Sequence, residues 1–160
     1  MAIARFYHLT RDPPEALLPQ LLGKSLEAGL RVALRAAPGP RLEALDRALW
    51  AGEGFLPHGV EGGPHDADQP VLLTATDGAA AALPNRPGCL IALDQMAVTP
   101  EEAQAMERLC ILFDGTDPQA VEAARAQWRM LTRAGIVAEY WSQDGGRWTC
   151  AARHPPQPAD

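Results

Sequence analysis

The chain has 160 residues, a formal net charge of −6, 47% hydrophobic and 21% charged residues. These values suit one folded domain with a sizeable core, and they exclude a disordered polymer. They also argue against a broad basic surface, so no direct nucleic-acid binding is expected. No apolar run approaches the roughly 20 residues that a membrane-spanning helix needs. Met1 to Arg11 lacks a basic start followed by an apolar stretch, so no secretory signal is read and a cytoplasmic location is expected. Cys89, Cys110 and Cys150 are odd in number, scattered and set among apolar residues, which suits buried, reduced thiols.

In chain order, Ile3 to Leu9 reads as a first strand, which Pro13 and Pro14 end. A helix from Leu18 tolerates Pro19 in its first turn, carries Leu18, Leu21, Leu22 and Leu26 as its stripe, and stops at Gly29. Leu30 to Ala36 alternates as a strand, and a helix follows from Arg41 to Trp50 with Leu42, Leu45 and Leu49 inward. Residues 51–70, rich in Gly, Pro and Asp, read as a loop. Val71 to Ala75 and Cys89 to Asp94 are short apolar strands of the kind buried on both faces. Thr99-Pro100-Glu101-Glu102 opens a helix expected to reach Leu109, and Cys110 to Asp114 is another buried strand. A long helix then runs from about Asp117 to Ala134, followed by extended segments at Ile136 to Ser142 and Arg147 to Cys150.

Strands alternating with helices predict a single α/β domain over residues 1–153. The expected architecture is a three-layer sandwich, its central sheet largely parallel or mixed and flanked by helices. It is Rossmann-like, yet without a nucleotide motif. Residues 154–160 form a proline-rich tail expected to be mobile.

Signals for chemistry are weak. Neither a Walker sequence nor a Gly-x-Gly-x-x-Gly fingerprint occurs, and Gly59, Gly62 and Gly63 open no helix that could hold a phosphate. His65-Asp66-Ala67-Asp68 lacks the cysteine or helical histidine partners of a metal centre, so neither metal nor cofactor is expected. His58 has no Gly-x-Ser-x-Gly nucleophile to serve. The alternative to a binding protein is a small α/β enzyme using Asp94 or Asp114 at the strand ends with His8 or His58. Both carboxylates are equally good turn or helix caps.

Two surfaces suggest binding instead. On the helix from Asp117 to Ala134, Ala120, Ala124, Gln127, Leu131 and Ala134 gather on the side expected to face the core. Arg125, Arg129 and Arg133 line another side at i, i+4 spacing, and Trp128 falls at the border. An indole beside guanidinium forks offers apolar contact and carboxylate recognition together. An ordinary solvated face accounts for the same pattern. The second surface starts at Trp50, which points roughly 110° from the leucine stripe of its helix. Phe55, Leu56, Pro57 and His58 follow, and large apolar residues in a loop either fold onto the core or await a partner.

Along most of its length the chain resembles the chi subunits of bacterial DNA polymerase III. The resemblance rests on Phe6-Tyr7-His8-Leu9, Gly29-Leu30-Arg31-Val32, Leu45-Asp46-Arg47-Ala48-Leu49-Trp50 and Phe55-Leu56-Pro57-His58-Gly59. Gln69-Pro70-Val71-Leu72-Leu73, Phe113-Asp114-Gly115, and Ala124-Arg125 through Trp128-Arg129 to Ala134-Gly135 complete it. It implies an α/β fold and a non-catalytic accessory subunit of the clamp loader. The implied partners are the acidic, apolar C-terminal tail of the single-stranded-DNA-binding protein and a small subunit called psi. The tail site would fall on Val121, Arg125, Trp128 and Arg129. The psi surface would fall on Trp50, Phe55, Leu56, Pro57 and His58. Some members carry a basic residue where this chain has Val121.

Overall fold

The computed structural model describes residues 3–52, 57–75, 80–144 and 147–155. Among these residues, eight strands form one sheet: β1 (Ile3–Leu9), β2 (Val32–Arg35), β3 (Gly59–Val60), β4 (Val71–Thr74), β5 (Cys89–Ala92), β6 (Arg108–Asp114), β7 (Val137–Asp144) and β8 (Arg147–His154). Four helices accompany them: α1 (Leu18–Glu27), α2 (Pro40–Ala51), α3 (Pro100–Ala105) and α4 (Pro118–Arg133). The strand order is β3-β4-β2-β5-β6-β1-β7-β8. Every neighbouring pair is parallel except the β7–β8 hairpin. The fold is the α/β sandwich expected, with a mixed sheet.

Side-chain alternation along the strands divides the core into two layers. Ala33, Leu72, Leu90, Leu109 and Ile111 pack with Ala103, Ala120, Ala124 and Leu131 of α3 and α4. Leu34, Leu73, Ile91 and Leu112 pack on the opposite face with leucines 18, 21 and 22 of α1 and 42, 45 and 49 of α2. The central strands β2, β4 and β5 are buried at every position, being covered by helices on both faces, so β2, read as alternating, buries even Arg35.

Several boundaries depart from expectation. α3 ends at Ala105 rather than Leu109, because Met106 turns extended (φ −96°, ψ 147°). Arg108 and Leu109 are claimed by the sheet, where Arg108 lies opposite Ile3 of β1 and Cys89 of β5. Two ladders on a central strand outweigh the local helical pattern. The expected loop 51–70 holds β3 and a 3₁₀ turn at Asp66–Asp68. The last strand extends past Cys150 to His154, paired with Ala138. Cys89 and Cys110 are buried as expected, but Cys150 is exposed, since β8 is the sheet's outer strand.

The buried charge pair was not foreseen. Arg35 is 0% exposed and Glu102 3%, joined by a bidentate contact whose longer arm, Nη1 to Oε1, is 3.0 Å. Glu102 also closes a capping box with Thr99 and accepts from the Ala80 amide at 2.9 Å. One carboxylate thereby ties β2, α3 and the segment entering at Ala80 together.

Candidate functional site

α4 is set at both ends by local chemistry. The Asp117 side chain accepts from the Gln119 amide at 2.9 Å, and Pro118 occupies the first helical position. At the other end Gly135 adopts φ +88°, so the Ile136 amide reaches the Leu131 carbonyl at 3.0 Å and the Gly135 amide reaches Thr132 at 3.1 Å. This is the Schellman arrangement, with Ile136 and Leu131 both buried beneath it. Gln127 fixes the helix laterally by bonding both backbone groups of Val98, its Oε1 accepting from the Val98 amide at 3.1 Å. Of the residues expected on the core side, Ala120, Ala124 and Leu131 are buried. Ala134 is exposed, because it caps the helix end instead of continuing it.

α4 packs on β6 and β7, but the sheet continues past it to β8. The uncovered margin forms a groove of about 300 Å³ along the helix. Val121, Arg125, Trp128 and Arg129 form its helical wall together with Ala124, so all four expected tail-site residues meet there. Phe6 of β1, Phe113 of β6, Tyr140 of β7 and Ala152 of β8 supply the rest. The Trp128 indole is only partly buried and meets Phe6 edge-on, with ring centroids 5.3 Å apart, and Tyr140 at 6.3 Å. Arg125 and Arg129 are exposed, and among the described residues neither makes an ion pair. Arg133 is exposed and lies outside the groove lining.

The inner end of the groove is held by His8, whose Nδ1 bonds the Tyr140 hydroxyl and whose ring packs on Phe113 at 5.2 Å. Burial raises the Tyr140 phenol above its ordinary value, and the charge of Arg125 opposes that rise. Tyr140 therefore stays a neutral hydroxyl at physiological pH. Gly115 makes room for His8: a Cβ there would overlap the imidazole ring at Nε2. Gly115→Ala is accordingly expected to displace His8 and cost about 1–3 kcal/mol, read as a lower urea midpoint. An unchanged midpoint and an unchanged His8–Tyr140 contact by NMR would count against this packing.

The strand-end groups read as enzyme candidates are engaged elsewhere. Asp94 accepts from the Ala37 amide at 3.0 Å and from Arg41 Nε at 2.9 Å. Asp114 caps its own turn through the Thr116 amide and hydroxyl at 2.8 and 2.6 Å, bonds that lower its pKa. His58 is buried on the far side of the sheet order, its Nε2 3.1 Å from Asp46 Oδ1. Asp66, weighed as a metal ligand, accepts instead from the Gly62 and Gly63 amides at 2.9 and 3.0 Å.

At the second surface Trp50 is 51% exposed, as its helical phase implied. Its ring lies over His58, centroids 4.2 Å apart, so the buried histidine supports the indole from beneath. Pro57 is half-buried beside them, while Phe55 and Leu56 lie outside the described residues.

Sequence reasoning missed Phe6, Phe113, Tyr140 and Ala152 as groove residues. Each reads locally as an ordinary strand position, and only the sheet order sets them beside α4. Among known families, the model of the DNA polymerase III chi subunit, HolC, matches residues 1–139. No curated protein matches the chain.

Proposed function

The chain belongs to the DNA polymerase III chi subunit family, and from that premise we propose that the α4 groove docks the acidic C-terminal tail of the single-stranded-DNA-binding protein. The observation that carries this reading is the pairing of a partly buried indole with two guanidinium groups that make no ion pair among the described residues, all on one groove wall. Arg125 and Arg129 grip the tail's carboxylates, and Trp128 with Phe6 and Tyr140 receives its last apolar residue. The accessory subunit then acts without catalysis of its own, tethering the cytoplasmic polymerase assembly to coated single strands.

Such a contact is small, and an affinity on the order of micromolar suits an exchangeable link. Titration of a fluorescent peptide ending in that acidic, apolar sequence tests it. Saturable binding that weakens with added salt is expected, because the exposed charges are screened over about 8 Å at physiological ionic strength. Absent or salt-indifferent binding overturns the assignment.

Trp50, with Phe55, Leu56, Pro57 and His58, serves as the second partner surface in this reading, facing psi or another clamp-loader component. Its support is an exposed indole resting on a buried histidine, the form of an interface anchor. Trp50→Ala is expected to abolish co-purification of that partner without lowering the thermal midpoint. Undiminished co-purification would remove Trp50 from the interface.

A further inference from the structure

The sheet margin is uncovered on its other face as well. There a second groove of about 290 Å³ lies between α1 and the strands β1, β6, β7 and β8, with the whole sheet separating it from the α4 groove. Its lining is unusual for a chain of net charge −6. Arg5, Lys24 and Arg108 contribute three cations, and among the described residues no carboxylate lines it. Arg5 is shared with Glu139 at 3.2 Å, which Arg153 also neutralises at 2.6 Å. Lys24 and Arg108 make no ion pair among the described residues.

The remaining wall is aromatic. Tyr7 stacks with Trp141 at a centroid distance of 6.5 Å and an interplanar angle of 24°, and Trp148 meets Tyr7 edge-on at 5.3 Å. The Trp141 indole N–H is held by Glu139 at 3.2 Å, so this shelf is fixed before any partner arrives. All three rings remain partly exposed. Trp141 and Trp148 lie beyond residue 139, outside the span matched by the chi family model.

We infer that this groove is a second docking site, for an extended acidic peptide segment of a protein partner that presents a carboxylate and, two residues away, an aromatic side chain. The spacing follows from the strand itself. Arg5 and Tyr7 are alternate residues on one face of β1, so cation and ring stand about 6.5 Å apart along the groove. An extended peptide repeats its side chains on one face at the same interval. Its carboxylate meets Arg5, whose own partner Glu139 is also neutralised by Arg153, with Lys24 and Arg108 adding charge to the same groove, and its ring lies on the Tyr7–Trp141–Trp148 shelf. A single-stranded nucleic acid also combines charge with flat rings. It requires cations tracking successive phosphates, whereas here they gather in one cluster on a protein of net charge −6. The cluster favours the peptide.

A displayed library of short random peptides, panned against the full chain, tests the inference independently of the α4 groove. Selected sequences are expected to be enriched in an acidic residue two positions from an aromatic one. They should lose about tenfold or more in affinity, roughly 1.4 kcal/mol, for Lys24→Glu and for Trp148→Ala, and bind Arg125→Glu as wild type does. Lys24 is exposed, so its variant keeps the fold intact while testing the charge. Selected peptides that ignore both Lys24→Glu and Trp148→Ala, or that respond only to Arg125→Glu, overturn the site. So does a library that yields no such enrichment, or an oligothymidylate that displaces the selected peptides.

Discussion

Reversing both groove charges, Arg125→Glu with Arg129→Glu, is expected to eliminate binding of the acidic tail peptide while the chain stays folded. A hydrogen bond to a charged group contributes about 1.5–3 kcal/mol, so losing two weakens binding by about a hundredfold or more before repulsion is added. A contact on the order of micromolar thus moves beyond the range of a fluorescence titration. Both side chains are exposed, and surface substitutions of this kind usually change stability by about 0.5 kcal/mol or less. The converse change is Val121→Lys, which adds a cation one turn before Arg125. Val121 lines the groove and packs against the core edge, and a lysine stem can keep that apolar contact while its ammonium reaches water. Several-fold tighter binding, with steeper salt dependence, is expected. Should the double reversal bind as wild type does, the tail lies elsewhere on the molecule.

The second large effect concerns stability. Glu102→Ala is expected to cost about 3–5 kcal/mol in urea denaturation, because it leaves the Arg35 guanidinium charged and buried without its partner. The loss is a large part of the about 5–15 kcal/mol that stabilises an ordinary domain. It also strips the capping box of α3 and the acceptor for the Ala80 amide. Arg35→Met combined with Glu102→Leu is expected to recover part of the loss, since an apolar pair avoids the stranded charge. Recovery stays incomplete because the Ala80 and Thr99 amides, 2.9 and 3.1 Å from Glu102, keep no acceptor. If Glu102→Ala changes the unfolding free energy by less than about 1 kcal/mol, the pair is not a keystone of the fold.

The same carboxylate gives the acid limit a sign. Burial raises the Glu102 pKa, but the hydrogen bonds from Arg35 and from the Ala80 and Thr99 amides outweigh it, so the net value lies below the ordinary 4.5. A depressed carboxylate binds fewer protons folded than unfolded. Its stabilisation is present above pH 4.5 and is lost as pH falls through the lower folded value. The Glu102→Ala variant should therefore show a flatter stability profile below pH 4.5 than the wild-type chain.

The sequence by itself determined the elements whose signals are local. The helix read from about Asp117 to Ala134 agrees almost to the residue with Pro118–Arg133, because the Asp117 cap and the Gly135 stop that bound it each act within one helical turn. The same periodicity placed Trp128 at the border of the buried face and Trp50 outside it. The apolar runs at Val71 and Cys89 announced buried strands for the same reason. What only the tertiary structure decided is who meets whom. Phe6 and Tyr140 stand under Trp128 because β1 is inserted between β6 and β7, an order no short-range pattern encodes. Arg35 finds Glu102 across 67 positions of chain. Met106 leaves its helix because two neighbouring strands claim the residues after it. Cys150 is exposed on β8, which among the described residues has no neighbour on its outer side. Capping and periodicity are nearest-neighbour effects, written in consecutive residues. Grooves and buried ion pairs arise from the relative placement of whole elements, which the packing of both core layers fixes together.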